Sequence, residues 1–139
     1  MAITAFGPVH ADFTHVSVTV TQLEAARDFY GRVLGLSEIA RPDFGFPGIW
    51  YDLGTTLQLH IIVNEALTRP AAERDGFDIR YPHFAIHVED ADAAADALAA
   101  RGAKLHEFRA SPTGLRQLFV KDPDGNMVEF IGPGAGTLG

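Results

Sequence analysis

The chain contains no cysteine. Disulfides, thiolate nucleophiles and cysteine-ligated zinc or iron–sulfur sites are therefore excluded, and any metal site must be built from nitrogen and oxygen donors. The absence of thiols also fits a reducing compartment. No apolar run reaches the about 18–20 residues that a membrane helix needs. The opening residues MAITAFGPVHADF carry neither the basic region nor the apolar stretch of a secretory signal. Positive charge is scarce as well: 11 Lys and Arg stand against 18 Asp and Glu, for a net charge of −7. A nucleic-acid module shows the opposite balance, gathered into a basic stripe, and an acidic surface does not attract anionic lipid. The expectation is a cytoplasmic protein with neither nucleic acid nor membrane as a partner.

What is present suffices for one globular domain. At 139 residues, a chain buries about two thirds of its unfolded surface and needs no staple to hold a core. Hydrophobic residues make up 47% and charged residues 21%, close to the globular average, which argues against disorder. Residues 1–139 are read as a single domain. It carries six histidines, and these lead to the chemistry.

The sequence F-T-H-V-S-V-T-V at 13–20 alternates Val16, Val18 and Val20 with His15, Ser17 and Thr19, the period of a half-buried strand. T-Q-L-E from Thr21 reads as a capping box. Leu23, Ala26, Phe29, Tyr30, Val33 and Leu34 then recur at helical spacing, up to Gly35 in the terminating position. Two short β-like runs follow at 49–53 and 56–63. Residues 64–81, with Pro70, Gly76 and alternating charges, read as a polar connector with a short helical turn. The pattern then restarts. P-H-F-A-I-H-V sets Phe84, Ile86 and Val88 against His83, Ala85 and His87, and an acidic helix start and an alanine-rich run lead to Gly102. Further β-like runs occupy 115–120 and, beyond the turn D-P-D-G, 126–131. The glycine-rich tail 132–139 is read as loose.

The chain thus repeats one plan: module one at about 12–63, a connector at 64–81 and module two at about 82–132. A histidine lies early in each opening strand, His15 and His83, and a polar residue lies inside each closing strand, Gln58 and Glu129. The separations are 43 and 46 positions. Tandem duplication explains the coincidence better than chance.

His15, His83 and Glu129 sit on the strand faces opposite the aliphatic residues. An ionised carboxylate in an apolar strand is costly unless it is paired or bound to a cation. Two imidazoles and one carboxylate form a set suited to a divalent transition metal, with positions left open for substrate or water. Gln58 and His60 share a strand face, and either fits a fourth ligand position; symmetry with Glu129 favours Gln58. His87, on the face of His83, reads as a pocket residue, whereas His10 and His106 read as exposed bystanders. The run Asp122 to Asn126 fails as a calcium loop, because glycine is fourth rather than sixth and Pro133 stands in the twelfth place. It reads instead as the turn that delivers the Glu129 strand. No nucleophile elbow or phosphate-cradling glycine loop is present.

The combination of F-T-H-V-S-V-T-V, the helix A-A-R-D-F-Y-G-R-V-L-G-L, P-H-F-A-I-H-V and D-P-D-G-N-M-V-E-F resembles the vicinal oxygen chelate superfamily. That group includes glyoxalase I, the bleomycin- and fosfomycin-resistance proteins, methylmalonyl-CoA epimerase and the extradiol dioxygenases. The resemblance runs from about 13 to 131. It implies an α+β fold of two tandem βαβββ modules, whose mixed sheets curve into a cup around a divalent metal ion such as Fe, Ni, Zn or Mn. By position His15, His83 and Glu129 match family ligands, and Gln58 falls where glyoxalase-type members place Glu or Gln. The resemblance also implies a homodimer, often with each site built from modules of two subunits.

The chemistry so implied is chelation of a small-molecule substrate through adjacent oxygens by a lyase, isomerase or dioxygenase. An amide at Gln58 has no useful pKa, so a proton-shuttling reaction would make Glu129 the catalytic base. A non-catalytic antibiotic-binding role, as in the bleomycin-resistance proteins, is the alternative. Phe44, Phe46, Trp50 and Tyr51 read as an aromatic wall for the substrate, with His60, His87 and Arg116 as further pocket residues. Arg109, Arg116 and Lys121 are candidates to receive an anionic portion of the substrate, against the default reading of isolated surface bases.

Overall fold

In a computed structural model the chain is described over residues 2–5, 7–9, 13–54, 56–108 and 111–135. A short antiparallel hairpin, β1 (Ala2–Thr4) and β2 (Gly7–Val9), precedes the two modules. The first module comprises β3 (His15–Val20), α1 (Leu23–Arg27), β4 (Ser37–Ile39), β5 (Gly48–Asp52) and β6 (Gln58–Val63). After a connector holding the short helix α2 (Ala71–Asp75), the second comprises β7 (His83–His87), α3 (Ala91–Ala100), β8 (His106–Glu107), β9 (Arg116–Lys121) and β10 (Met127–Gly132).

Each module forms one four-stranded mixed sheet, in the orders β3-β6-β5-β4 and β7-β10-β9-β8. In each, the opening strand pairs in parallel with the closing strand, and the remaining pairs are antiparallel. The architecture is the α+β arrangement of two βαβββ units. The register sets His15 beside Gln58 in the first sheet and Glu129 beside Ala85, two residues from His83 on the same strand, in the second.

The period-2 pattern explains which face is buried. Val20, Ile49, Tyr51, Leu59 and Ile61 from the first sheet and Leu118, Val120, Val128 and Phe130 from the second share one core with Phe29, Tyr30, Val33, Ala91, Ala95 and Leu98 of the helical segments. At about 25 cal/mol per Å² of apolar area, this shared core is the main attraction between the halves. The opposite faces carry the histidines, Gln58 and Glu129.

Several local expectations need correction. Thr21 does not cap α1: the cap position is Gln22, without a side-chain bond. Thr21 instead donates its amide and hydroxyl to the Asp124 carboxylate, at 2.8 and 2.7 Å. A carboxylate 103 positions away thus displaces the local capping partner. The helix does not stay α-helical to Leu34 either. It passes into a π-helical stretch, Asp28–Val33, before ending at Gly35 with φ +74°. Strands β4 and β8 were not anticipated as elements in their own right. They span only three and two residues at the sheet edges, too short for a pattern to register.

A buried network joins the modules at the D-P-D-G turn. Asp122 accepts from the Tyr30 hydroxyl at 2.7 Å, from Asn126 Nδ2 at 2.8 Å and from the amides of Asp124 and Asn126. Asn126 Nδ2 also donates to the Thr19 carbonyl at 2.8 Å. Burial holds the Asp122 carboxyl above the usual carboxylate range despite these donors, and it pushes the Tyr30 hydroxyl well above that of a free tyrosine. At Gly125, with φ +87°, a Cβ would lie 2.7 Å from the Arg74 Cα, so only glycine lets the turn pass under the connector.

Candidate functional site

The four anticipated ligands fall into two pairs. In the second module Glu129, on the central strand β10, is buried at 4% exposure. Its Oε1 lies 3.2 Å from His83 Nε2, and its Oε2 accepts from Gln117 Nε2 at 3.2 Å. His83 donates Nδ1–H to the Tyr81 carbonyl at 2.6 Å, because a carbonyl can only accept. In the neutral ring, Nε2 then presents a lone pair to a carboxylate oxygen. Two acceptors face one another across 3.2 Å, an arrangement that calls for a proton or a cation between them. The Phe119 ring packs edge-on against His83, at 5.5 Å between centroids.

In the first module, His15 opens β3 with Nδ1 2.8 Å from the Thr14 hydroxyl, which leaves Nε2 available. Beside it, the Gln58 carbonyl oxygen accepts from His60 Nε2 at 2.9 Å. The His60 ring is stacked on both sides, against His15 (4.0 Å, 12°) and against Trp50 (4.0 Å, 3°). The cross-strand register, with Trp50 opposite His60, produces this ladder. Burial first, then the charges of His15 and Arg41, holds His60 below the usual histidine range. Its ring nitrogen and faces are already engaged, so within this arrangement His60 orients the Gln58 amide.

The first pair and His83 line different spaces. His15, Gln58 and His60 line a cavity of about 700 Å³ together with Phe13, Phe44 and Trp50. His83 lines a crevice of about 470 Å³ flanked by β3 residues Val16 to Thr19 and by Arg69 and Met127. Among the described residues, no three histidine, aspartate or glutamate side chains lie together closely enough to hold a metal ion. The donor set still suits a divalent cation: imidazole nitrogens, an amide oxygen and a buried carboxylate beside one of the imidazoles. Each half alone offers too few ligands.

The other anticipated pocket residues are placed as follows. Trp50 lines the first cavity. Phe46 lies behind it, stacked at 6.0 Å on Phe44. Tyr51 points the other way, into the core, buried at 1% exposure with its hydroxyl unpartnered among the described residues; adjacent strand residues face opposite sides, so it is not part of the wall. His87 is exposed at the end of β7 and lines neither cavity. Arg116 is paired with Asp92 at 2.7 Å and with Glu107, so its charge is spent tying β9 to α3 and β8. Lys121 donates to the carbonyls of Glu73 and Arg74 and lies over the Tyr81 ring. His106 does not lie in an exposed irregular segment. It sits in β8, half-buried, with its ring stacked on Phe77 at 4.9 Å. His10, Arg109 and the last four residues of the tail, 136–139, lie outside the described residues.

Two contributors escaped the sequence reading. Phe77, from the connector, packs on Phe119 at 5.0 Å as well as on His106, covering the Glu129 side of the second sheet. Arg41 sets its guanidinium over Phe44 and Phe46, 5.0 and 5.1 Å from their centroids. A single aromatic in a polar segment and an arginine before a loop give no periodic signal. No helix among the described residues is long and apolar enough to cross a membrane.

Comparison with known proteins places this geometry. The sequence profile of the glyoxalase/bleomycin resistance protein/dioxygenase superfamily matches residues 12–130. A lactoylglutathione lyase of Neisseria meningitidis is 30% identical over 126 residues, covering 84% of this chain and 87% of that protein. Among solved structures, a glyoxalase family protein from Bacillus anthracis superimposes with a TM-score of 0.75 at 28% identity, covering 91% of this chain and 98% of that one. An antibiotic binding protein from Streptomyces shares the fold, with a TM-score of 0.70 at 22% identity and the same coverage.

Proposed function

Because the chain belongs to the glyoxalase/bleomycin resistance protein/dioxygenase superfamily, we propose that it is a divalent-metal-dependent enzyme of the glyoxalase type, acting on a small substrate that presents two adjacent oxygens. His15 and Gln58 form one half of the metal centre, and His83 and Glu129 form the other. A second copy of the chain completes each site, module one of one copy facing module two of the other. The observation that carries the reading is the His83–Glu129 pair, in which an imidazole nitrogen and a buried carboxylate oxygen lie 3.2 Å apart.

When bound, the metal would supply Lewis-acid polarisation of the chelated oxygens. The chain's own groups do the rest. Glu129 is the one carboxylate in the set and moves the proton, because the Gln58 amide cannot. Gln117 holds the second oxygen of Glu129, and the Tyr81 carbonyl fixes the His83 ring. His60 keeps the Gln58 oxygen oriented. Lyase or isomerase chemistry follows most directly from this division of roles. Similarity to a lactoylglutathione lyase supports it and makes the hemithioacetal of methylglyoxal and glutathione the first substrate to assay.

Binding without catalysis is a second reading. It is favoured by the open, aromatic-lined first cavity and by the fold shared with an antibiotic binding protein. Metal analysis separates the two. Protein purified without added metal should carry a divalent ion, and His83→Ala or Glu129→Ala should lose most of it while remaining folded. Unchanged metal content in both variants would remove the basis of the enzyme reading.

A further inference from the structure

The first cavity carries more information than its volume. Trp50, His60 and His15 stand as three nearly parallel rungs, each 4.0 Å from the next. Phe44 follows Trp50, but at 5.9 Å and tilted by 42°, so the ladder is interrupted there by a wedge. A flat ring seated in that wedge as the next rung needs about 7 Å, twice a van der Waals contact distance. Phe44 would therefore have to yield only about 1 Å. It is placed to do so, being 51% exposed on the loop between β4 and β5.

The rim is positively biased although the chain is acidic. None of the described residues lining this cavity is Asp or Glu. Arg41, under Phe44 and Phe46, makes no ion pair or hydrogen bond among the described residues, and its Nε is buried without a partner. The nearby Asp43 carboxylate is turned into its own loop, accepting from the Gly45 amide at 2.8 Å. An unneutralised guanidinium beside an aromatic slot selects against cations and for anions.

From these observations we infer that the occupant of the first cavity is a planar aromatic anion, an aromatic ring bearing a carboxylate or phenolate, stacked between Trp50 and Phe44 with its charge toward Arg41. The inference deepens the substrate reading given above by naming the class of molecule, and it rests on that reading only in treating this cavity as the substrate pocket. It does not depend on the metal.

Trp50 is the sole tryptophan, so its fluorescence reports on the slot directly. The test titrates the full-length protein, by calorimetry and by fluorescence, with 3-hydroxy-2-naphthoate, with the uncharged 3-hydroxy-2-naphthamide and with the saturated 2-hydroxycyclohexanecarboxylate, each with and without EDTA. The naphthoate is expected to quench Trp50 and to bind about tenfold more tightly than the saturated acid, in EDTA as well as without it. Phe44→Ala, a change on the exposed loop that leaves the core intact, and Trp50→Leu, followed by calorimetry, should each weaken it about tenfold. Arg41→Gln should abolish the preference for carboxylate over amide. Equal affinity for the flat and saturated acids, unchanged binding by Phe44→Ala, or binding that vanishes in EDTA would each overturn the inference. Metal-loaded protein that turns over the hemithioacetal but ignores the naphthoate would overturn it while leaving the proposed function standing. Naphthoate binding by protein that takes up no divalent metal even when Mn²⁺ or Ni²⁺ is supplied would support it while removing that function.

Discussion

The Tyr30 hydroxyl donates to the buried Asp122 carboxylate at 2.7 Å, across 92 positions of the chain. This bond ties the helical segment of the first module to the turn that launches the Glu129 strand. Tyr30→Phe keeps the ring, which is fully buried, and removes only the donor. A buried acceptor left short of a partner costs about 1–3 kcal/mol, and urea unfolding should show a loss in that range. A variant as stable as wild type would mean that Asn126 and the turn amides satisfy Asp122 alone.

Tyr51 makes the opposite prediction. Among the described residues its hydroxyl is buried without a partner, so Tyr51→Phe should be neutral or slightly stabilising at pH 7. Burial first, then the Glu38 charge, raises the Tyr51 hydroxyl to about 12. The unfolded chain ionises it near the ordinary value of about 10. Its contribution is therefore intact below pH about 10 and is lost as pH rises toward about 12, at up to about 1.4 kcal/mol per pH unit. Tyr30 titrates in the same direction. Stability measured from pH 9 to 12 should fall less steeply in Tyr51→Phe than in wild type, and coincident curves would contradict this.

Gln58→Glu adds a second carboxylate at the same length, next to the His60 donor. Metal affinity, titrated with Mn²⁺ or Ni²⁺, should rise by about tenfold through the added ligand charge. Proton-transfer activity should rise with it if an amide at this position limits the reaction. No change in affinity would place Gln58 outside the metal centre.

Complementation tests whether two copies share a site. His15→Ala disables module one and His83→Ala disables module two, so each variant alone should be inactive and metal-poor. In a two-fold symmetric pair, a mixed dimer has one site with both defects and one with neither. Unfolding the two together and refolding should restore about a quarter of wild-type activity and metal content. Failure to restore either would confine the site to one chain.

The duplicated plan was legible because its evidence is periodic. Alternating strands place His15, His83 and Glu129 away from the aliphatic face, and the repeat equates Gln58 with Glu129. The register His15 to Gln58 and the His83–Glu129 approach follow from that plan. What was not legible depends on long-range partners. Thr21 looks like a helix cap until Asp124 arrives from the other module. Arg116 looks like a free cation until Asp92 and Glu107 close on it. Tyr51 looked like part of the aromatic wall because composition alone ignores which side of the strand a residue faces. The separation of the ligands into two spaces is a property of how the modules meet, and no local pattern encodes it.

Phe77 makes the two halves of the repeat unlike. The segment between the modules roofs one sheet with an aromatic ring on Phe119 and His106, while the corresponding face of the other sheet stays open as the stacked-ring cavity. On the proposed function, module two supplies a sheltered, carboxylate-bearing wall and module one an accessible recognition wall. Substitutions around Phe44 and Trp50 would then alter which molecule is admitted, whereas substitutions around Phe77 would alter what befalls it, and the two properties can diverge separately.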